Sequence, residues 1–461
     1  MIVPHTYAGK GVAVLGLGKT GRAALEAFAA AGAAPLVAWD DAADARDKLP
    51  TGAAAVAPAT IDWSQMDLLV PSPGVPDEHP MTLAARKAGC RITGDVEVLW
   101  EAAPEPRYIG VTGTNGKSTT TSLIAHILTQ AGRTVAAGSN LGTPALALPK
   151  LAADGAYALE MSSYQLALGE HLSFDIAVLL NITPDHLERH GTLEAYVAAK
   201  ESIFRTGRLS TAIIGIDDAE CRRIYDRLIA AGSGTIIPLA VGQMLSHGIS
   251  VVDGVLYDAE REICDLTSAV ALPGAHNWQN AGAAYAVARA HNVPEEVIVQ
   301  ALHTYPGLAH RMEHVATIDG IALINDSKAT NADAAARALA CYDNVYWIAG
   351  GKPKSGGLNA LRPWLKHVRH ACLIGEAMDG FETDLTGDVS ISRSGDLATA
   401  LGDAIAHARA GGLPGAVILF SPACASFDQY PNFEVRGDAF RDLAHALNHR
   451  DDTSSGGSSA K

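Results

Sequence analysis

Short apolar runs recur along the chain, and most of them end at glycine or at a cluster of polar residues. Examples are residues 11–16, 108–111, 175–181 and 321–324. Ala-rich stretches lie between these runs, and in them apolar positions recur every three or four residues. Buried strands that alternate with amphipathic helices are typical of parallel sheets covered by helices. The pattern therefore predicts an α/β protein.

The length and the loop-forming stretches predict how the chain divides. A chain of this length corresponds to about three domains of ordinary size. Proline-containing segments without periodicity occur at residues 101–106 and 305–307. We therefore expect domains over residues 1–103, 104–306 and 307–450. Residues 451–461 read DDTSSGGSSAK, a low-complexity composition that predicts a disordered tail.

Charge and cysteine usage narrow the class of protein. Lys and Arg number 35 against 50 Asp and Glu, and the net charge of −15 argues against nucleic acid or an anionic membrane as the main partner. The six cysteines are scattered without C-x-x-C spacing, so neither zinc nor a disulfide framework is supported. No apolar run reaches membrane-spanning length. We expect a cytoplasmic globular protein with no nucleic-acid or membrane partner.

A glycine loop follows the apolar run at residues 108–111 and precedes a helical pattern. We call residues 113–119 the phosphate loop; they are Gly113, Thr114, Asn115, Gly116, Lys117, Ser118 and Thr119. Glycines let backbone N–H groups turn inward, and the following helix N-terminus favours an anion. Lys117 is expected to reach terminal phosphates and Ser118 to bind Mg²⁺. Val111 stands where the general motif has glycine, and an ordinary strand–helix turn is the alternative.

A second glycine turn, Gly16-Leu17-Gly18-Lys19-Thr20-Gly21, follows the first apolar run. Asp40 ends the next run, about 20 residues later, as in dinucleotide-binding proteins. The turn is compatible with NAD, and equally with another pyrophosphate, since the same backbone binds either. The loop Ser72-Pro73-Gly74-Val75-Pro76 ends a third run and is expected to complete a pocket at the strand ends.

Polar residues at other strand ends and on helices extend the candidate site. Glu160 ends one run and is a candidate Mg²⁺ ligand, or else a helix-start carboxylate. His186 follows another run, as a metal ligand or a hydrogen-bonded loop residue. Lys200 lies on a predicted amphipathic helix, where a lysine is usually solvated. Asn277 and Asn280 open a long helix, as ligand contacts or caps.

The last third of the chain contributes a further set of polar residues, suited to a small charged molecule: Asp326, Lys328, Thr330, Lys354 and Ser426. A simple ATPase switch needs no such third pocket. Three pockets on three sheets favour a nucleotide-linked acceptor, ATP and a small second substrate. That combination is typical of ATP-driven joining of two molecules.

Seven segments carry a resemblance to a known family: GVTGTNGKSTTT, LEMSSYQL, NITPDHLERH, YVAAKESIF, GAHNWQN, NDSKATN and LFSPACASFDQYPNFEVRGD. The chain resembles the Mur ligase family from residue 16 to about residue 441. The resemblance implies a Rossmann-like N-terminal domain, a central P-loop mononucleotide-binding parallel sheet and a Rossmann-like C-terminal domain. It also implies an ATP-dependent amide ligase that adds D-glutamate to UDP-N-acetylmuramoyl-L-alanine through an acyl phosphate. ADP and phosphate are the further products.

The resemblance also implies site residues. ATP contacts match Gly113, Thr114, Asn115, Gly116, Lys117, Ser118, Thr119, Asn277, Asn280, Arg311 and Asp326. Contacts to the UDP-linked substrate match Gly18, Lys19, Thr20, Asp40, Gly74, Asn140 and His186, which turns the NAD interpretation into a UDP site. D-glutamate contacts match Lys328, Thr330, Lys354, Ser426 and Phe433, with Lys352 as the alternative to Lys354. Catalytic positions match Lys117, Lys200, His186 and Lys328.

For metals the resemblance implies two Mg²⁺ sites, held by Ser118, Glu160, His186 and Lys200, with a CO₂-derived carbamate on Lys200. We expect a monomer that acts on small molecules. The alternatives are a ligase for another amino acid, including a folate-type ligase, and a non-catalytic nucleotide sensor that uses the phosphate loop as a switch. An oxidoreductase is disfavoured, because no hydride-transfer residues accompany the first glycine turn.

Overall fold

The computed structural model describes residues 1–232, 234–353 and 357–455. It divides into two compact units. The first unit comprises Met1–Ser268 and Ala275–Thr304 and contains two sheets. The second unit comprises Ala269–Gly274 and the described residues from Tyr305 onward and contains one sheet. In the part of the chain that the structure describes, no helix combines the length and apolarity needed to span a membrane.

The N-terminal sheet has five parallel strands in the order β3-β2-β1-β4-β5. Its strands are β1 (Val12–Leu15), β2 (Leu36–Trp39), β3 (Ala53–Ala55), β4 (Leu68–Pro71) and β5 (Arg91–Ile92). Its helices are α1 (Lys19–Ala31), α2 (Pro80–Lys87) and α3 (Asp95–Ala102). The strand order reverses at β1, whose carboxyl end meets the glycine turn, so this edge is a ligand-binding position of a Rossmann-like sheet. The predicted Rossmann-like N-terminal fold is confirmed.

The central sheet has nine strands in the order β14-β13-β12-β11-β10-β9-β6-β8-β7. The strands are β6 (Arg107–Thr112), β7 (Val135–Ser139), β8 (Ala156–Glu160), β9 (Ile176–Leu179), β10 (Thr211–Gly215), β11 (Thr235–Val241), β12 (Ile249–Val252), β13 (Val255–Asp258) and β14 (Arg261–Asp265). The helices are α4 (Lys117–Gln130), α5 (Ser163–Leu168), α6 (Leu187–His190), α7 (Leu193–Glu201), α8 (Ala219–Ala231), α9 (Ala275–Ala290) and α10 (Glu295–Thr304). Strands β6 to β12 pair in parallel, which confirms the predicted parallel core.

One strand prediction in this region was wrong. From the sequence, residues 250–256 (SVVDGVL) are predicted to form a single strand, but the structure has the antiparallel hairpin β12–β13. Asp253 and Gly254 form its turn, with φ of 50° and 83°. Two consecutive positive φ values suit a two-residue hairpin, and Asp-Gly is a strong sequence signal for one. That signal was available in the sequence, because Asp253 and Gly254 separate two short apolar pairs.

The sheet of the second unit has six strands in the order β15-β16-β20-β17-β18-β19. Its strands are β15 (Glu313–Ile318), β16 (Ile321–Asn325), β17 (Asn344–Gly350), β18 (Val368–Ile374), β19 (Ile391–Gly395) and β20 (Ala416–Phe420). Its helices are α11 (Ala332–Leu339), α12 (Met378–Leu385), α13 (Leu397–Gly411) and α14 (Phe433–Ser455). Among the described strands of this sheet, only the edge strand β15 pairs in antiparallel fashion. Helix α14 extends into the predicted tail, and residues 456–461 lie outside the described residues.

The two sheets of the first unit share one apolar core, which runs from the N-terminal strands to the central ones. Polar contacts reinforce it. The Glu97 carboxylate on α3 accepts backbone N–H groups of Glu170, His171 and Leu172 and pairs with Arg91. This continuous packing explains why the first two predicted domains form one compact unit.

Candidate active site

The phosphate loop connects the central strand β6 to helix α4. Gly116 has a φ of 85° immediately before α4, and a Cβ there would lie 2.2 Å from Asn280 Oδ1. Only glycine combines this backbone with this contact at no cost. Lys117 folds back over the loop and donates to the carbonyls of Gly113 and Thr114, both at 2.9 Å. The ammonium therefore sits beside the cradle, where it can meet an anion.

The loop is held from outside by residues that sequence reasoning did not assign. The Asn181 side chain, just after β9, accepts from Asn115 N at 2.9 Å and donates to Gln279 Oε1 at 2.8 Å. Gln279 in turn donates to Asp217 at 3.1 Å. This hydrogen-bond chain joins three separate strand and helix ends. The only local sequence signal for this chain of hydrogen bonds was the polar Asn181 after an apolar strand.

Asn277 and Asn280 lie on the first turns of α9, both buried. Asn280 Nδ2 donates to Asn277 Oδ1 at 3.1 Å, and Asn280 Oδ1 accepts from Thr120 on α4 at 3.1 Å. The structure thus brings both amides against the helix that follows the phosphate loop.

Glu160 ends β8, directly beside β6, with Val111 as its register partner. Its side chain is 2% exposed, and Oε1 accepts from Asn140 Nδ2 at 2.6 Å. The other oxygen, Oε2, is buried and has no hydrogen-bond partner among the described residues. A buried acceptor without a donor is costly, and a cation would satisfy it.

This geometry fits a Mg²⁺ site of the kind that needs a nucleotide. Ser118, on the first turn of α4, is buried and is the second candidate ligand. Among the described residues no group of three or more His, Cys, Asp or Glu forms a ready metal cage. Mg²⁺ commonly binds one or two protein groups together with phosphate oxygens and water. Glu160 and Ser118 suit that kind of coordination.

Lys200 lies on α7 and is 2% exposed. Its ammonium donates to Gly113 O at 2.8 Å and to Thr112 Oγ1 at 3.4 Å, and it lies 4.7 Å from the centre of the Tyr196 ring. Burial, and then the charge of Lys117, lower the pKa of Lys200 to about 7. The prior expectation of a solvated helix lysine is therefore wrong. A buried lysine with this pKa is a candidate functional group.

His186 has a left-handed backbone, with a φ of 54°, immediately before α6. Its Nε2 lies 3.5 Å from Asp185 Oδ2, and its ring centre lies 5.2 Å from that of Tyr164. The side chain is about half exposed, at 46%. It is accessible to a ligand, unlike the buried Glu160 and Lys200.

The N-terminal glycine turn opens helix α1 at Gly18. A Cβ on Gly18 or on Gly74 would meet no atom within 4 Å, so both face open space. Lys19 and Thr20 are the first two residues of α1. Their backbone N–H groups belong to the helix terminus, which is a suitable position for a diphosphate.

Asp40 has a role inside the turn. One of its carboxylate oxygens accepts from Leu17 N at 2.6 Å and the other from Ala42 N at 2.9 Å. The carboxylate thus fixes the glycine turn against the end of β2. Ser72, the first residue of the loop expected to complete the pocket, supports the same turn by donating to Gly16 O at 2.8 Å.

In the second unit, Asp326 directly follows the carboxyl end of β16 and is buried. Its oxygens accept from Met312 N at 3.2 Å and from Ser421 Oγ at 2.8 Å. Burial raises the pKa of Asp326 to about 7, and the hydrogen bonds from Ser421 and Met312, followed by the charge of Arg311, oppose that shift. Asp326 therefore braces two loops, with Arg311 beside it.

The predicted amino-acid-binding residues of the second unit gather on neighbouring segments. Lys328 and Thr330 follow β16, Ser426 follows β20, and Phe433 begins α14. The Lys328 ammonium lies 5.6 Å from the centre of the Phe433 ring. Lys354 lies outside the described residues. The alternative, Lys352, is described and pairs with Ala425 in an isolated bridge.

The phosphate loop suits the phosphates of a nucleotide, and Glu160 and Ser118 suit a metal bound with them. Lys200 adds a lysine with a lowered pKa beside the loop. Together these features define a P-loop nucleotide-binding protein of the α/β class. Comparison with known proteins narrows this class.

The family model "Mur ligase middle domain" matches residues 111–288, and "Mur ligase MurD-like, N-terminal domain" matches residues 10–94. A UDP-N-acetylmuramoylalanine--D-glutamate ligase of Paramagnetospirillum magneticum is 49% identical, covering 97% of this chain and 99% of that protein. The ligase of the same name from Caulobacter vibrioides is 46% identical over the whole of both chains. The chain belongs to the Mur ligase family.

Solved structures show the same fold. The UDP-N-acetylmuramate-alanine ligase of Thermotoga maritima superposes with a TM-score of 0.57 at 17% identity, over 95% of this chain and 99% of that one. A pseudomurein peptide ligase of Methanothermus fervidus gives a TM-score of 0.54 at 15% identity, over 95% and 100%.

Proposed function

We propose that this protein is an ATP-dependent acid–amino-acid ligase of peptidoglycan precursor synthesis. It joins D-glutamate to UDP-N-acetylmuramoyl-L-alanine and forms ADP and phosphate. The observation that carries the proposal is the 46–49% identity, over 97–100% of the chain, to proteins named for this reaction. The phosphate loop, with a buried carboxylate and a buried lysine beside it, supplies the chemistry that such a reaction needs.

The reaction proceeds in two balanced steps. A carboxylate oxygen of the alanyl group attacks the γ-phosphorus of ATP, and the bond to the ADP oxygen breaks, giving an acyl phosphate. The amine of D-glutamate then attacks the acyl carbon, loses a proton, and phosphate leaves as the amide forms. Lys117, folded over the loop beside the Gly113 and Thr114 carbonyls, neutralises charge on the transferred phosphoryl oxygens.

Ser118 and Glu160 hold a Mg²⁺ ion, and His186 contributes to a second site. When bound, Mg²⁺ supplies charge stabilisation at the phosphoryl oxygens. The unpaired Glu160 Oε2 supports this assignment. Asn140 orients the carboxylate through its contact with Oε1.

Lys200 carries a carbamate formed with CO₂. The ammonium first loses a proton. The neutral amine nitrogen then bonds to the carbon of CO₂, one C=O π bond opens onto its oxygen, and a second proton leaves the nitrogen. The two steps together convert a cation into an anionic oxygen ligand. Burial and the neighbouring Lys117 favour the neutral amine. The nitrogen lies within reach of the phosphate loop, at 2.8 Å from Gly113 O.

The N-terminal turn takes the UDP diphosphate at Gly18, Lys19 and Thr20, with Asp40 fixing the turn and Gly74 leaving open space. Asn140 and His186 hold the muramoyl-alanine part. ATP contacts extend to Asn277, Asn280, Arg311 and Asp326. D-Glutamate is held by Lys328, Thr330, Ser426, Phe433 and Lys352 or Lys354.

We assign these roles to domains over residues 1–103, 104–306 and 307–450. We further propose that the enzyme acts as a monomer in the cytoplasm, where ATP and UDP-linked precursors are available. Size measurement with and without substrates tests the monomer assignment.

The test of the function is phosphate release with ATP, Mg²⁺ and UDP-N-acetylmuramoyl-L-alanine, adding one amino acid at a time. D-Glutamate is expected to stimulate release, whereas L-glutamate, L-lysine and diaminopimelate are not. Equal stimulation by one of these would refute the substrate assignment. Phosphate release independent of any amino acid would favour a nucleotide switch instead. Lys200→Ala should nearly abolish turnover, with partial rescue by short-chain carboxylic acids.

A further inference from the structure

Arg436 has the most buried guanidinium group of the second unit's described residues. It lies near the start of α14 and is 1% exposed. A guanidinium carries five N–H donors, and its burial is costly unless they meet acceptors.

Two loops supply those acceptors. Arg436 Nε donates to Ser327 Oγ at 3.1 Å and Nη2 to Ser327 O at 2.8 Å, just after β16. Nη2 also donates to Cys424 O at 3.1 Å and Nη1 to Ala425 O at 3.2 Å, after β20. One rigid, planar fork therefore joins the loop next to Lys328 with the loop next to Ser426.

Two more segments depend on the same fork. Ala425 exchanges backbone hydrogen bonds with Lys352, at 2.9 and 3.1 Å, which attaches the loop after β17. Ser327 Oγ donates to Phe433 O at 2.9 Å, three residues before Arg436 on the same helix. Among the described residues, the segments of Lys328, Ser426 and Phe433 thus meet at Arg436, and the segment of Lys352 is joined to it through Ala425.

The four acceptors do not neutralise the charge of Arg436, and the carboxylate of Asp428 favours that charge only from beyond ion-pair distance. All four acceptors are neutral, and in the described part of the chain no carboxylate lies within the 4.0 Å of an ion pair. Burial lowers the pKa of Arg436 to about 10, so the group remains charged at pH 7. Arg441, on the same helix, by contrast pairs with Glu313 and Asp438. A buried cation that no carboxylate contacts favours an anionic occupant nearby.

We propose that Arg436 is a positioning and specificity-determining residue for the second substrate. Its fork sets the geometry of the amino-acid pocket, and its charge selects an amino acid that carries a side-chain carboxylate. This inference rests on the proposed function, since it concerns the same pocket.

The test compares Arg436→Met and Arg436→Lys with Arg441→Met as the matched control on the same helix. Loss of charge-assisted hydrogen bonds predicts a KM for D-glutamate raised about 10- to 100-fold in Arg436→Met. KM for ATP and for the muramoyl nucleotide should stay at the wild-type value. Acyl-phosphate formation without amino acid, trapped by borohydride reduction, should also be unchanged. Arg441→Met should match wild type in all four measurements.

Charge and geometry are separated by the preference for D-glutamate over D-glutamine, taken as the ratio of kcat/KM values. Arg436→Lys should raise the KM for D-glutamate but retain the preference. In Arg436→Met the ratio of kcat/KM values should fall by about 10-fold or more. Variants that lose thermal stability but keep the wild-type KM and preference would overturn the inference. If Arg436→Met does not fold, Arg436→Lys decides, since an unchanged KM there is equally contrary. If wild type responds only to another amino acid, the proposed function fails, and the comparison is made with that amino acid.

Discussion

Replacing Lys200 by methionine should stabilise the protein while it removes activity. Methionine preserves much of the side-chain volume and carries no charge, and Gly113 O keeps its hydrogen bond from Lys117. The Lys200 pKa falls from 10.5 to about 7 on burial. Each tenfold change in a protonation equilibrium is worth about 1.4 kcal/mol, so the folded protein bears a cost of about 4 kcal/mol at pH 7.

Removing the Lys200 charge recovers that cost, but part of the gain in stability is offset. The hydrogen bond from Lys200 to Gly113 O, at 2.8 Å, is lost and contributes about 1 kcal/mol. We therefore expect Lys200→Met to raise the free energy of unfolding at pH 7 by about 2–3 kcal/mol, within the range for replacing buried charges.

The pH dependence identifies the cause. Between pH 7 and 10.5 the unfolded lysine binds a proton that the folded one does not, so wild-type stability rises with pH in this window. The advantage of Lys200→Met should therefore shrink as pH rises towards 10. Urea denaturation at pH 7, 8.5 and 10 in CO₂-free buffer measures it, with the exposed Lys87→Met as control. A less stable variant at pH 7, or an advantage independent of pH, would refute the reasoning.

Three further predictions concern single residues. Glu160→Gln should lower kcat by about 100-fold and raise the Mg²⁺ concentration required, because a buried ligand charge is lost. Phosphate release measures both effects, and the control substitution of the exposed Glu170 by Gln should have no effect. Gly116→Ala should weaken binding of a non-hydrolysable ATP analogue in calorimetry, at a cost of about 1–3 kcal/mol. The control is Gly132→Ala beyond the other end of α4, which has a φ of 70° and no atom within 4 Å and should leave binding unchanged. Equal losses of binding in the two variants would contradict the role of the Asn280 contact. His370 is buried, and its pKa is lowered to about 4, first by burial and then by the stacked His407. The free energy of unfolding should therefore fall as pH drops from 6.5 to 4. This fall should be shallower in His370→Gln, and an unchanged pH dependence in that variant would contradict the prediction.

The phosphate loop could be predicted because its chemistry is contiguous. A strand, two glycines, a lysine and a serine within a dozen residues specify the turn, the helix N-terminus and the ammonium together. The same holds for the N-terminal turn, where Asp40 follows at fixed spacing. The hydrogen-bond partners of Asp40 were not predictable from the sequence. The carboxylate closes the turn by accepting from Leu17 N and Ala42 N.

Other site residues depend on contacts between distant segments. Asn181 meets Asn115, 66 residues away, and Gln279, 98 residues away. Arg436 meets Ser327 across 109 residues. No local spacing encodes such pairs, because they arise only when parallel strands bring their carboxyl ends to one edge.

The sequence by itself determined the α/β alternation, the phosphate loop and the candidate residues at strand ends, because local periodicity and turn chemistry act over a few residues. Only the tertiary structure decided the environment of each group. It left Glu160 with an unpaired oxygen, buried the ammonium of Lys200 against Gly113 O, and gathered four segments around Arg436. Burial and charge are sums over neighbours from the whole chain, so they exist only after the sheets have assembled.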